Sequence, residues 1–194
     1  MKINLPTKLT LLRIIIVPLI IFSYLATFLP YGKLIALILF IIAACTDFID
    51  GYLARKNNQV TTLGKFLDPI ADKLLVISTL LLVVVDKNVI APYGVIFAII
   101  IIGRDFFVSG LRSMAAKNNV VLAADNLGKF KTIVQDIALP AYLLFSFLRS
   151  LGGVPSNILL ILEIVAFTLL SIATLLTIAS GINYIANNSK LIRN

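Results

Sequence analysis

The chain has 194 residues, 60% of them hydrophobic and only 13% charged, where a soluble domain would carry about a quarter charged residues. Its mean hydropathy is +1.04 and its net charge +8. These values exclude a water-soluble globule and leave no length for a separate soluble domain, so residues 1–194 read as one membrane domain. They also turn the basic balance from a nucleic-acid signal into one about membrane topology and anionic headgroups.

Apolar runs near 20 residues recur, each long enough to cross a hydrocarbon layer of about 30 Å. The fold expected is all-α and polytopic, with six transmembrane helices behind a short N-terminal amphipathic lead. The lead contains Pro6 and is expected to be retained, since no small-residue cleavage site follows it. The first span is predicted over Leu9–Leu29, the second over Leu34–Arg55, the third over Lys65–Val85 and the fourth over Val89–Ala115. The fifth is predicted over Lys129–Leu148 and the sixth over Asn157–Ala186. Tyr31-Gly32, Asp86-Lys87-Asn88 and Gly152-Gly153-Val154-Pro155 supply turns that make neighbouring spans antiparallel. Lys33, Lys87 and Arg149 fall on one side and the remaining Lys and Arg on the other. The positive-inside rule then puts both termini and the basic ends in the cytoplasm, in a cell membrane. A single cysteine, Cys45, allows no intrachain disulfide.

The second and third spans interrupt the hydrocarbon with acid. Asp47 and Asp50 are three apart on one, and Asp68 and Asp72 four apart on the other. Both spacings put a pair on one helical face. The short connection between the spans predicts direct neighbours with their acidic ends at matched depth. Carboxylates at that depth are costly and repel one another. With no histidine in the chain, the fitting counter-charge is a hard divalent cation on oxygen ligands, Mg²⁺ or Mn²⁺. Four carboxylates suffice for two such ions about 3.5–4 Å apart, a spacing used in phosphoryl displacement. A juxtamembrane belt pairing the aspartates with Arg55, Lys56, Lys65 and Lys73 is the plainer alternative. Gly51 and Ala54 leave space beside the carboxylates or serve helix packing. Gly64 is expected to end the loop, and Pro69 suits a first helical turn.

Asp47-x-x-Asp50-Gly51-x-x-Ala54-Arg55, eight residues, then Gly64-x-x-x-Asp68-x-x-x-Asp72 resembles the full signature of the CDP-alcohol phosphotransferase family, and the six-span layout is similar too. The resemblance implies that Asp47, Asp50 and Asp68 bind a metal pair and that Asp72 completes the site and acts as base. It implies room for a cytidine nucleotide at Gly51 and Ala54, with Arg55 supporting the donor phosphate or the carboxylates, and Gly64 beside them. It further implies displacement of CMP by an alcohol, and a homodimer.

A second polar set lies on the fourth and fifth spans. Asp105, Ser109 and Arg112 share one helical face, and Lys131 and Gln135 another. Arg104, Arg112, Lys129 and Lys131 approach the same side. Arginine suits bidentate phosphate contact and lysine supplies a point charge, so the set suits an anionic acceptor. Asp105 is expected to pair with Arg104 or Arg112. Asn4, Thr10 and Arg13, with Ser109-Gly110-Leu111-Arg112 and Gly128-Lys129-Phe130-Lys131-Thr132, resemble the branch of the family that joins CDP-diacylglycerol to glycerol 3-phosphate. Arg104-Asp105 stands where that branch carries an Arg-Glu pair, with the charge kept. The resemblance implies Thr10, Arg104, Arg112 and Lys131 as ligands of the acceptor phosphate. A sibling enzyme taking inositol phosphate, serine or a phospholipid remains open, as does a prenyltransferase. From another class, a divalent-cation transporter would want acids at mid-membrane with access from both sides, whereas these cluster at one side beside cations.

Overall fold

A computed structural model describes residues 4–56, 62–86, 93–117 and 126–187, without the side chains of residues 6, 48–56, 62, 65 and 117. The described chain is six α-helices: α1 Leu5–Leu25, α2 Gly32–Lys56, α3 Thr62–Val85, α4 Gly94–Lys117, α5 Asn126–Ser150 and α6 Ser156–Asn187. Helices are what a bilayer demands of a chain without a closed barrel, because each satisfies its own backbone groups. α1, α4, α5 and α6 contain stretches long and apolar enough to span. α2 and α3 match them in length, at 25 and 24 residues, and carry the acidic segments. The chain is an all-helical integral membrane protein.

Side-chain pairs fix the alternation of the helices. The start of α1 meets the start of α3 and the second half of α2, through Thr10–Asp68 and Arg13–Asp47. The end of α1 meets the start of α2, the residue after α3 and the end of α5, through Tyr24, Lys33, Asp86 and Ser146. One end of the bundle therefore carries the start of α1 and the end of α6; it is called the terminal end below, and the other the far end.

α1 absorbs the N-terminal lead, beginning at Leu5 with proline in its first turn, where a missing N–H costs nothing. It stops at Leu25, four residues before the predicted end, and Phe28-Leu29-Pro30-Tyr31 make the turn. Tyr31 takes the positive φ of 61° there. Gly32 serves packing instead: a Cβ on it would lie 2.3 Å from the Ser23 carbonyl oxygen. α3 begins at Thr62, three residues early. Gly64 is thus buried inside the helix and does not end the loop, and Pro69 lies within the helix, past its first turn. The Lys87-Asn88 turn and the predicted start of the fourth span at Val89 lie outside the described residues.

One expectation about neighbours fails. Among the described residues α2 and α3 touch at few points, and α1 packs along both of them. Reach permits this: five residues separate α2 from α3, and a segment of that length can span up to about 17 Å, more than one interhelical spacing of about 8–10 Å. The buried core includes Ile20, Phe40, Leu80, Leu139, Phe145 and Leu170. Ile15, Ile99, Leu175 and Ile182 face outward and are largely exposed, as lipid contact permits.

Candidate active site

At the terminal end α1 runs between the two acid-bearing helices and supplies a partner to each. Arg13 is fully buried, and its guanidinium lies 2.6 Å from an Asp47 oxygen. Its Nε also donates to the Ala43 carbonyl at 3.3 Å. Thr10, equally buried, donates from Oγ1 to Asp68 Oδ1 at 2.5 Å. Thr10 and Arg13 sit three apart on one face of α1, so a single helix edge anchors carboxylates on both neighbours. Asp72 lies one turn past Asp68 on α3 and lines an open cavity. Its carboxyl is within electrostatic reach of Asp47, Arg13, Lys131 and Asp105. Asp136 on α5 is within reach of Asp72, Asp47 and Lys131.

Among the described residues no three acidic or cysteine side chains close on one point tightly enough to hold an ion. Asp50, Gly51, Ala54 and Arg55 occupy the last turns of α2, and their side chains lie outside the described residues. Lys73, a candidate partner for the aspartates in the salt-bridge alternative, instead donates to Ser109 at 2.6 Å and lies over the Phe106 ring.

The cavity, of about 150 Å³, opens between α3, α4 and α5. Asp72, Arg104, Asp105, Arg112, Lys131 and Gln135 are among its lining. Asp105 pairs with Arg104 at 3.1 Å and with Lys131 at 2.6 Å; Arg112, the other partner expected for it, turns to Tyr184. Arg112 Nε donates to the Tyr184 hydroxyl at 3.3 Å, and the guanidinium lies over that ring. Arg104 Nη2 donates to Ser180 at 2.7 Å. Lys131 and Gln135 are 4% and 2% exposed, and Gln135 Oε1 has no hydrogen-bond partner among the described residues. Thr10, expected with the acceptor phosphate, does not line this cavity; it serves Asp68. Lys129 is exposed and lies outside it too.

Sequence reasoning missed the part played by α6. Ser180 and Tyr184 hold the two arginines, and between them Gly181 makes room. A Cβ on Gly181 would meet Arg104 Cγ at 3.2 Å, and one on Gly128 would meet Arg104 Nη2 at 3.4 Å. A Ser-Gly-x-x-Tyr run at i, i+1 and i+4 at the polar end of an otherwise greasy helix was the available signal. Arg13 was the other: an arginine inside an apolar span needs a partner, and Asp47 is a carboxylate it meets.

The sequence profile of the CDP-alcohol phosphatidyltransferase family matches residues 3–179. The chain belongs to this family. A Bacillus subtilis relative called CDP-diacylglycerol–glycerol-3-phosphate 3-phosphatidyltransferase is 41% identical, over 95% of this chain and 95% of its own length. Relatives of the same name from Rickettsia bellii and Haemophilus influenzae are 40% and 39% identical over 93% or more of both chains. Family membership makes the chain an enzyme and places its carboxylates and its cavity in a phosphatidyl-transferring fold.

Proposed function

We propose that this enzyme transfers the phosphatidyl group of CDP-diacylglycerol to sn-glycerol 3-phosphate, giving phosphatidylglycerophosphate and CMP. Support comes from the names of relatives matched along nearly the whole chain. The observation that carries it is the cavity in which Arg104, Arg112 and Lys131 gather beside Asp72. A dianionic phosphate monoester suits that lining; serine or a neutral polyol would leave its cations idle. Among the described residues Arg112 has no carboxylate against it, and Arg104 and Lys131 share one, Asp105, which favours an anion in the cavity. Lys131 supplies a point charge and the arginines planar donors.

In the reaction, the acceptor hydroxyl oxygen bonds to the phosphorus that carries the diacylglycerol. The bond from that phosphorus to the bridging oxygen breaks, and CMP leaves with the electron pair. Asp72, at the cavity wall, takes the hydroxyl proton. Arg13 and Thr10 act as positioning residues, fixing Asp47 and Asp68 so that these carboxylates keep their rotamers inside lipid. Asp47, Asp50, Asp68 and Asp72 would hold two divalent cations, Mg²⁺ or Mn²⁺. The donor set fits, being all oxygen, with the like charges of Asp47 and Asp72 within reach of each other. When bound there, the ions would supply positive charge against the pyrophosphate and the leaving phosphate. Gly51, Ala54, Arg55 and Gly64 are assigned to the nucleotide side of the donor.

The excess of Lys and Arg at the terminal end supports a cytoplasmic position for it, at the inner face of a cell membrane. The acyl chains of the donor then stay in lipid while its headgroup and the soluble acceptor meet at the inner surface. The enzyme is expected to work as a homodimer, with membrane lipids around it. The test is turnover of CDP-diacylglycerol with glycerol 3-phosphate in detergent or liposomes. Asp72→Asn, and wild type stripped of divalent ions, are both expected to lose turnover; full activity in both would refute the mechanism.

A further inference from the structure

Gln135 is the one cavity residue with a buried polar atom pointing to a missing partner and no part in the chemistry above. It is 2% exposed, and its Oε1 is buried without a hydrogen-bond partner among the described residues. A buried amide oxygen left so forfeits its hydration without compensation, which needs a reason. α5 gives its place. Gln135 follows Lys131 by one turn on the same face, about 6 Å further from the terminal end. Across the cavity from α5, Asp72 of α3 belongs to the same lining as Gln135. Gln135 therefore lines the same cavity as the cation group, which suits a phosphate, and as the carboxylate assigned to the reacting hydroxyl.

We infer that Gln135 reads the acceptor's middle hydroxyl, accepting its hydrogen bond at Oε1, and so selects a vicinal hydroxyl-bearing phosphate over a plain alkanol phosphate. This rests on the acceptor proposed above. The amide is suited to the task because it is neutral: a carboxylate there would repel the acceptor phosphate, and an apolar side chain would have nothing to offer the hydroxyl. A site built to bond a hydroxyl rejects the analogue lacking it strongly, because its own polar atom is then left unpaired.

The test compares sn-glycerol 3-phosphate with 1,3-propanediol monophosphate, which keeps the phosphate and the reacting hydroxyl and lacks the middle one. The full-length enzyme is given CDP-diacylglycerol, and kcat/KM is measured for each acceptor. Wild type is expected to favour glycerol 3-phosphate by at least about tenfold. Gln135→Met, which keeps the volume, and Gln135→Leu should bring the ratio to within about threefold while retaining turnover of the analogue. Equal use of the two acceptors by wild type would overturn the inference without any variant. So would a ratio unchanged in a turning-over variant. If wild type used neither compound but took another acceptor, the proposed function itself would fall, an outcome distinct from both.

Discussion

At the far end of the bundle, Lys33, Asp86, Tyr24 and Ser146 come from four regions of the chain and satisfy one another at 2.6–2.8 Å. At the terminal end, Arg104, Asp105, Arg112, Lys131 and Gln135 stand around open space, with a buried acceptor atom left over. Both groups are polar clusters in a hydrophobic protein, and both include a short ion pair, 2.7 Å in the far cluster and 2.6 Å in the terminal one. They differ in closure. The far cluster converges on a single oxygen, Asp86 Oδ2, which receives Lys33, Tyr24 and Ser146. It ties α1, α2 and α5 to the end of α3. The terminal cluster splays its donors across α4 and α5 around a cavity. A closed network does structural work; an open one with unmet valence is where a ligand belongs.

The comparison breaks first at Asp72. Asp72→Asn removes the proposed base and one carboxylate, and turnover should fall by at least about a thousandfold, with the protein still folded by size-exclusion in detergent. Arg112→Ala comes next. Its loss should raise the KM for glycerol 3-phosphate by about ten- to a hundredfold, the worth of a charged hydrogen bond of about 1.5–3 kcal/mol, while the KM for CDP-diacylglycerol stays put. An equal change in both would return Arg112 to a structural role.

The far cluster should answer in the opposite currency. Lys33→Met leaves Asp86 buried without its cation, and thermal stability in detergent should drop by about 3 kcal/mol, with activity per folded molecule unchanged. Loss of specific activity with no loss of stability would contradict the division of labour between the two ends. The smallest effect is a pH dependence. Burial opposes ionisation of Asp86, but the hydrogen bonds from Lys33, Ser146 and Tyr24 and the Lys33 charge outweigh it and hold the carboxyl down to about 2. A depressed acid stabilises the fold above its ordinary titration range. That stability is present above about pH 4 and fades as pH falls through 2. Asp86→Asn should therefore flatten the wild-type decline in stability between pH 4 and pH 2, followed by thermal unfolding across that window.

How much of this was legible in the chain differs by interaction range. The six helices followed from apolar run length, and the aspartate signature followed from i, i+3 and i, i+4 spacing, both local properties. The insertion of α1 between α2 and α3 was not legible, because adjacency in sequence argues for adjacency in space and a short connection conceals how far it reaches. Asp105 had arginines at i−1 and i+7, and sequence alone gave no way to choose; Lys131, 26 residues on, takes its second oxygen. Ser180, 76 residues from Arg104, was hidden by the apolar bulk of α6. The start of α3 shifted because Gly64 was read as the end of a loop, although it lies inside the helix; Pro69, expected in the first turn, lies past it.

The most direct measurement offers CDP-diacylglycerol together with equimolar labelled glycerol 3-phosphate, inositol phosphate and serine, and identifies the lipid formed by wild type and by Arg112→Ala. Phosphatidylglycerophosphate should be the main wild-type product, with one CMP released per lipid, and its share should collapse in the variant. A different lipid from wild type, or a product distribution and rate untouched by Arg112→Ala, would contradict the assignment of the cation-lined cavity to the acceptor phosphate.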